Sequence, residues 1–424
     1  MVSLSSFSVR NYRSFQQKAT VEVRPLTLLF GHNNSGKSTL LRTLPLLSES
    51  ARAENPEDVL AYRGDVARHA SFREIVSRLP GTPAGVEFAL TWDDGPDELR
   101  GVSFTFRQIE QLGRLAAPVA ERIQTFDSSG AQRLELLWAE EQPSGPGDAP
   151  LYRQASGGDA FPVPMKGLVP TARSVASVSL SSLEERLTRL AGGVSWLGAV
   201  RAAPERSLRS DNLRRPRRIW NQGTEALALL IFDKQEQGPV LPAVSRWYEE
   251  HFSRRLDIRE SSGDFSAVFS PLALPTAEVN LADCGEGIAQ VLPVLTLCAL
   301  AQAGRLGADH VIALEQPELH LHTDAQDALA RHLCQIAERP DSPRFLIETH
   351  SEIFLLQLQL EILKRRLPND HALLYNVWMA AEGQSLVKRI SLDQLGRPEG
   401  LPRLFGESLD LAREIARLRY EGGG

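Results

Sequence analysis

The 424-residue chain predicts an α/β fold, a mixed sheet with packed helices, and three runs of residues carry that expectation. Leu26-Thr27-Leu28-Leu29-Phe30 is an apolar run of strand length, followed by a Gly-rich turn and then by the helical start Leu40-Leu41-Arg42-Thr43-Leu44. Val311-Ile312-Ala313-Leu314 and Arg344-Phe345-Leu346-Ile347-Glu348 are further buried-strand patterns, and each runs into polar residues at its end. In open α/β sheets ligands sit outside the carboxyl ends of strands, which is where all three polar segments fall.

The turn after the first strand is Gly31-His32-Asn33-Asn34-Ser35-Gly36-Lys37-Ser38-Thr39, which fits the phosphate-loop pattern G-x-x-x-x-G-K-[ST]. Gly31 and Gly36 let the backbone curl, so that N–H groups from Asn33, Asn34, Ser35 and Thr39 point toward one centre. The following helix N-terminus adds its positive dipole end. In such a loop Lys37 reaches the β- and γ-phosphates and the Ser38 hydroxyl ligates Mg²⁺. A ligand-free Gly-rich turn is the plain alternative, but the strand-loop-helix context favours a nucleoside triphosphate, and ATP with Mg²⁺ is expected.

The second strand leads into Glu315-Gln316-Pro317-Glu318-Leu319-His320-Leu321-His322. A carboxylate at a strand tip beside a phosphate loop is what a Walker B element needs, so Glu315 is expected to hold the metal shell. Gln316 follows where a general base would be useful. A glutamine cannot accept a proton at neutral pH, although it can orient water. Glu318 and His350 are the nearby candidate proton acceptors, and His350, in Thr349-His350-Ser351, could also sense the γ-phosphate. A lone histidine of this kind more often has a structural role. Glu318, His320 and His322 do not share one helical face, so a metal cluster there is not expected.

Asp283-Cys284-Gly285-Glu286-Gly287-Ile288-Ala289-Gln290 opens an apolar helix running to about Ala303. A Gly-rich turn into a helix N-terminus is an anion site, or else simply a tight turn that caps a core helix.

Composition bounds the remainder. With 42% hydrophobic and 24% charged residues the chain is long enough for two or three packing units. The longest apolar stretch, residues 291–301, is interrupted by Pro293 and too short to span a bilayer. No charged n-region precedes an apolar core, so no secretory leader is expected. Three cysteines make neither a metal spacing nor a disulfide framework, which suits a reducing cytoplasm. The net charge of −6 gives no global argument for nucleic acid, and only six of the 47 basic residues are lysine.

Along the chain, residues 1–60 are expected to form the N-terminal part of an ATPase lobe with the phosphate loop. Residues 61–195 add an antiparallel sheet, with strands at 86–90, 102–106 and 134–138, and an insertion. That part includes a Pro-, Gly- and Ser-rich connector at 141–164 and a helix at 182–191 capped by Ser182 with Glu185. Residues 196–274 hold an Arg-rich loop and helices near 225–234 and 242–252. Residues 275–395 form the second ATPase lobe, including a helix at 352–366 and strands Ala372–Met379 and Ser385–Ile390. Residues 396–424 end in a helix at 407–419. No heptad pattern long enough for a coiled-coil arm is visible.

Taken together, Asn11-Tyr12-Arg13-Ser14-Phe15, the phosphate loop, Gly285-x-Gly287-x-x-Gln290, the segment from Glu315 to His322 and Glu348-Thr349-His350-Ser351 resemble the stand-alone ABC-type ATPases. The resemblance is to the ATPase part of OLD (overcoming lysogenization defect) proteins and, more distantly, to RecF and SMC. It covers about residues 1–50 and 275–395. It implies an ABC-type P-loop head of two lobes with an inserted region, dimerising with ATP sandwiched between the loop of one subunit and the signature of the other. By this resemblance Arg13 lies near the phosphates, Gly285, Gly287 and Gln290 serve the partner's ATP, and residues 196–201 are a strand-then-Arg element. Two departures stand out. No serine precedes the signature glycine, and Gln316 occupies the position of the usual glutamate, so slow hydrolysis and a long-lived ATP-bound state are expected.

Arg201, Arg206, Arg209, Arg214, Arg215, Arg217 and Arg218 could grip a phosphate backbone such as DNA. They could equally be a solvated loop, with Arg201 or Arg206 serving the ATP site. No nuclease constellation follows His350, so an effector would have to act in trans. The resemblance then implies a sensor or scaffold ATPase of an anti-phage system that controls a nuclease or toxin, as in Septu or PARIS. A RecF-like DNA-repair ATPase and a non-hydrolysing ATP-locked scaffold are the alternatives, and a membrane partner is not expected.

Overall fold

The computed structural model describes residues 3–55, 58–93, 99–111, 114–142, 149–171 and 178–399; the expected helix at 407–419 lies outside them. Its centre is a seven-stranded sheet in the order Trp220–Asn221, Val194–Leu197, Val311–Glu315, Arg344–Glu348, Leu26–Phe30, Ala372–Met379, Ser385–Ile390. The first six strands run parallel and only the last pair is antiparallel. Parallel strands covered on both faces read as uninterrupted apolar runs, which is why Leu26–Phe30 and Val311–Glu315 are buried throughout. The α/β class with a mixed sheet, expected from sequence, is the class observed.

The pleat of this sheet divides two cores. Leu28, Ile312, Leu314, Phe345 and Ile347 face one, which is closed by helices Glu225–Gln235, Val240–Phe252, Glu286–Gln302, Thr323–Ala337 and Glu352–Leu363. Leu29, Val311, Ala313 and Leu346 face the other, closed by helices Thr43–Arg52 and Val178–Gly192 and by a second sheet. Burying one such Leu or Ile side chain contributes about 2 kcal/mol, so both halves depend on the same few strands.

The second sheet has eight strands in the order Ala19–Glu22, Leu4–Arg10, Gly85–Trp92, Gly101–Gln111, Arg114–Phe126, Gln132–Trp138, Leu151–Gln154, Phe161–Pro162, all antiparallel. A small third sheet pairs Arg254–Ser261 with Asp264–Pro271, which also pairs Leu208–Arg209 and Val279–Asn280.

Several expectations need correction. The helix placed at 182–191 begins at Val178, so Ser182 lies inside it and cannot cap it; Leu180, Leu183, Leu187 and Leu190 supply its buried stripe. The helix after the phosphate loop starts at Lys37, stops at Leu41 and resumes as Thr43–Arg52. The strand Arg114–Phe126 was not expected from sequence. The boundary drawn at 195 falls within the strand Val194–Leu197.

Candidate nucleotide site

The phosphate loop leaves the carboxyl end of Leu26–Phe30 with Gly31 at φ 145°, Asn34 at φ 63° and Gly36 at φ 103°. A side chain at Gly36 would lie 2.9 Å from the Phe15 ring and from Ser385 Oγ, and one at Gly31 would lie 2.0 Å from the Val377 carbonyl oxygen. The loop is therefore clamped between the Asn11–Phe15 turn and the strands at 372–390, and only glycine fits at both points. Lys37 Nζ donates to the Gly31 and His32 carbonyls at 3.0 and 2.8 Å. Burial lowers its pKa, opposed by Glu348 3.9 Å away. His32, Asn33 and Asn34 are exposed, and the Ser35 hydroxyl is buried without a partner.

Glu315 and Glu348 are register partners at the tips of adjacent strands, yet their surroundings differ. Glu315 Oε1 accepts from Arg42 Nε at 2.6 Å and from Trp196 Nε1 at 2.9 Å, while Oε2 accepts from Arg42 Nη2 at 2.6 Å. The Arg42 guanidinium also lies over the Trp196 ring, 5.2 Å from its centroid. The Ser38 hydroxyl lies near Glu348 and acts to lower its pKa. Glu348 Oε2 is buried with no hydrogen-bond partner. Burial raises its pKa, and the neighbouring Glu315 charge adds to the rise.

The residues after these strands form a second network. Gln316 stands in the left-handed region at φ 43°, its N–H donating to the Glu348 carbonyl at 2.7 Å. Glu318 Oε1 accepts from Thr349 Oγ1 at 2.8 Å and from the His350 N–H at 3.0 Å, and Oε2 has no partner. Burial raises the Glu318 pKa despite those bonds. His350 is exposed, and its pKa is lowered by burial of part of the ring and by Lys37 and His32 nearby. The structure thus brings Lys37, Ser38, Glu315, Gln316, Glu318 and His350 to the carboxyl ends of three adjacent central strands.

Arg201 is buried, donating to the Glu315 and Gln316 carbonyls at 3.0 and 3.3 Å, and burial lowers its pKa to about 10. Gln290 Nε2 donates to the Arg201 carbonyl at 3.1 Å. Gly285 and Glu286 are exposed at the start of helix Glu286–Gln302, and a side chain on Gly287 would meet the His320 carbonyl oxygen at 2.4 Å. Close packing therefore accounts for Gly287. Among the described residues no hydrogen bond or ion pair joins Gly285–Gln290 to the phosphate loop.

Arg13 stands at φ 52° and donates through Nη2 to the Ala67 carbonyl at 2.9 Å. A cleft lined by Arg13, Arg68, His69 and Arg78 opens beside it. Of the seven arginines from 201 to 218, Arg206 pairs with Asp283, Arg215 with Glu236, and Arg218 lies over the Trp220 ring. Arg209, Arg214 and Arg217 are exposed. His320 lies 3.5 Å from Glu286, and no group of three or more His, Cys, Asp or Glu among the described residues is arranged to hold a metal.

Three residues of the site were missed in the sequence. Arg42 and Trp196 hold Glu315, and Arg68, whose pKa is lowered chiefly by Arg42 and next by burial, shares its field with Glu315, Arg13 and Glu348. Arg42 lies only five residues past Lys37, but nothing in the sequence ties it to an acid 273 positions later.

Residues 3–77 and 251–355 match the family model described as AAA ATPase domain. Those two stretches are similar to that domain. The first stretch carries the phosphate loop, and the second carries Glu315, Gln316, Glu318 and His350. No relative was found among curated proteins. Among solved structures, the Smc head bound to the C-winged helix domain of ScpA is 11% identical at a TM-score of 0.49, over 92% of this chain and 98% of that one. The SMC head domain from Thermotoga maritima is 11% identical at 0.42, over 92% and 100%. The Pyrococcus furiosus Smc head with an extended coiled coil, bound to the C-terminal domain of ScpA, is 10% identical at 0.47, over 98% and 100%. No helix among the described residues is long and apolar enough to cross a membrane.

Proposed function

We propose that this chain binds Mg²⁺–ATP, hydrolyses it slowly, and dimerises around it. One observation carries the reading: a glycine-clamped phosphate loop lies beside two buried carboxylates on adjacent strand tips, with Lys37 and Glu348 3.9 Å apart. The loop amides and Lys37 bind and orient the triphosphate. The Ser38 hydroxyl and one of the two strand-tip carboxylates, Glu315 or Glu348, would hold Mg²⁺ by their hard oxygens, with phosphate oxygens completing the shell. Bound there, the ion would neutralise charge developing on the transferred phosphoryl group. Gln316 orients water and Glu318 takes up a proton. The exposed Gly285 at the start of helix Glu286–Gln302 supports use of this turn by a second copy's ATP, the role the resemblance implies for Gly285, Gly287 and Gln290.

The family resemblance favours a cytoplasmic sensor or scaffold subunit of an anti-phage system controlling a nuclease or toxin in trans. A second reading, a RecF-like DNA-binding ATPase, draws on the exposed Arg209, Arg214 and Arg217. The test is ATP binding and light scattering of wild type and Lys37→Ala with Mg²⁺. Wild type is expected to bind ATP and double its mass, and the variant to do neither. ATP affinity unaltered by Lys37→Ala, or a wild type that stays monomeric with ATP bound, would refute the proposal.

A further inference from the structure

The chain offers two acids where such a site uses one, and the geometry points to Glu348, not Glu315, as the carboxylate that meets the magnesium of bound ATP. This assignment rests on the nucleotide reading above.

Glu315 has little left to give. Both its oxygens accept from Arg42 at 2.6 Å, and a third bond comes from Trp196. A carboxylate has about four lone-pair sites, so three are filled, and its charge is matched by a guanidinium. The pair is buried, with side-chain exposures of 11% for Arg42 and 3% for Glu315. Handing Glu315 to a metal would strand the Arg42 charge, and leaving a buried charge unpaired is strongly unfavourable.

Glu348 has the opposite character. It ends the strand paired directly with Leu26–Phe30, one strand nearer the loop than Glu315. Its side chain is 5% exposed, Oε1 lies 3.9 Å from Lys37 Nζ, and the Ser38 hydroxyl is close enough to oppose the rise in its pKa. Oε2 is buried and has no partner. A buried carboxylate oxygen without a donor is costly, and a cation bound by the Ser38 hydroxyl would relieve that cost. The second oxygen is therefore free to act as a ligand beside the one hydroxyl that a phosphate loop presents to Mg²⁺. On this view Glu315 is a positioning residue that fixes Arg42 behind the site.

The charge on Glu348 then has two opposite effects. It repels the triphosphate of metal-free ATP and attracts Mg²⁺–ATP. The test is titration of N-methylanthraniloyl-ATP into wild type and Glu348→Gln, once with Mg²⁺ and once with EDTA. Melting temperatures are recorded alongside. Wild type is expected to bind more tightly with Mg²⁺. Glu348→Gln should bind severalfold more tightly than wild type in EDTA, yet lose about tenfold or more in Mg²⁺. Free Mn²⁺ followed by electron paramagnetic resonance in the presence of ATP should show the same loss of metal affinity. Glu315→Gln should instead weaken binding alike in both buffers and lower the melting temperature.

A purely structural role for Glu348 would lower both of its affinities together, and that result overturns the assignment. So does a Glu348→Gln protein with the full Mg²⁺ enhancement of wild type. A wild type that binds no nucleotide in either buffer overturns the site itself, and this assignment with it.

Discussion

Replacing Arg42 by methionine isolates the pair on which the interior of the site is built. The change keeps an apolar stem but removes two 2.6 Å bonds to Glu315 and the guanidinium over Trp196. Glu315 would keep only the Trp196 N–H, at 3% side-chain exposure. Breaking one partner of a buried pair costs about 3–5 kcal/mol. Unfolding entropy of ~2.1 cal/mol/K per residue gives roughly 0.9 kcal/mol/K if all 424 residues melt together, so Tm should fall by about 3–6 °C. Scanning calorimetry of the nucleotide-free protein reads this directly. Adding Glu315→Gln removes the stranded charge while leaving an amide oxygen for Trp196, and should restore about half of the loss. A drop below about 1 °C for Arg42→Met, or a double variant worse than the single, would refute the argument that the pair is an indispensable buried contact.

Three further expectations concern pH, turnover and DNA. Burial holds His310, bonded to Ser195 at 3.0 Å, near a pKa of about 4 against the usual 6.5. The unfolded chain therefore binds its proton first as pH falls, and up to about 3 kcal/mol present above pH 6.5 is lost between about 6.5 and 4. Urea midpoints across that range should fall less steeply for His310→Gln than for wild type, and equal slopes would exclude the assignment. Gln316→Glu should raise ATP turnover by about tenfold or more in a phosphate-release assay, and Glu318→Ala should lower it. A fast wild type indifferent to both changes would remove both residues from the mechanism. If Arg209, Arg214 and Arg217 contact DNA phosphates, replacing all three by serine should flatten the slope of log affinity against log salt by about 2–3. Binding that is absent or independent of salt in wild type rejects that contact.

The central sheet was the most legible part of the chain. Leu26–Phe30, Arg344–Glu348 and Ala372–Met379 lie where their residue patterns place them, because strands covered on both faces leave a continuous apolar signature, and the edge strand Ser385–Ile390 also lies where it was placed. Arg114–Phe126 escaped because Pro118 and a run of small residues interrupt its alternation; the ladder accommodates them by shifting register between Gln108 and Glu110. Ser182 and Glu185 match a capping box in spacing alone, and the leucine stripe pulls the helix one turn further back. In the site, motif residues were visible but their partners were not. That Glu315 is occupied and Glu348 is open depends on Arg42 and Trp196 meeting across the fold, and such pairing has no local trace.

The strand that carries the phosphate loop finds both of its sheet neighbours far downstream, at Arg344–Glu348 and Ala372–Met379, and the Glu22 N–H donates to the Tyr375 hydroxyl at 2.8 Å. Val377 and Ser385 then close on Gly31 and Gly36. Nascent or truncated copies lacking residues 372–390 consequently lack half of the clamp that shapes the loop. The loop therefore takes its final shape only after the slow, long-range closure of the sheet.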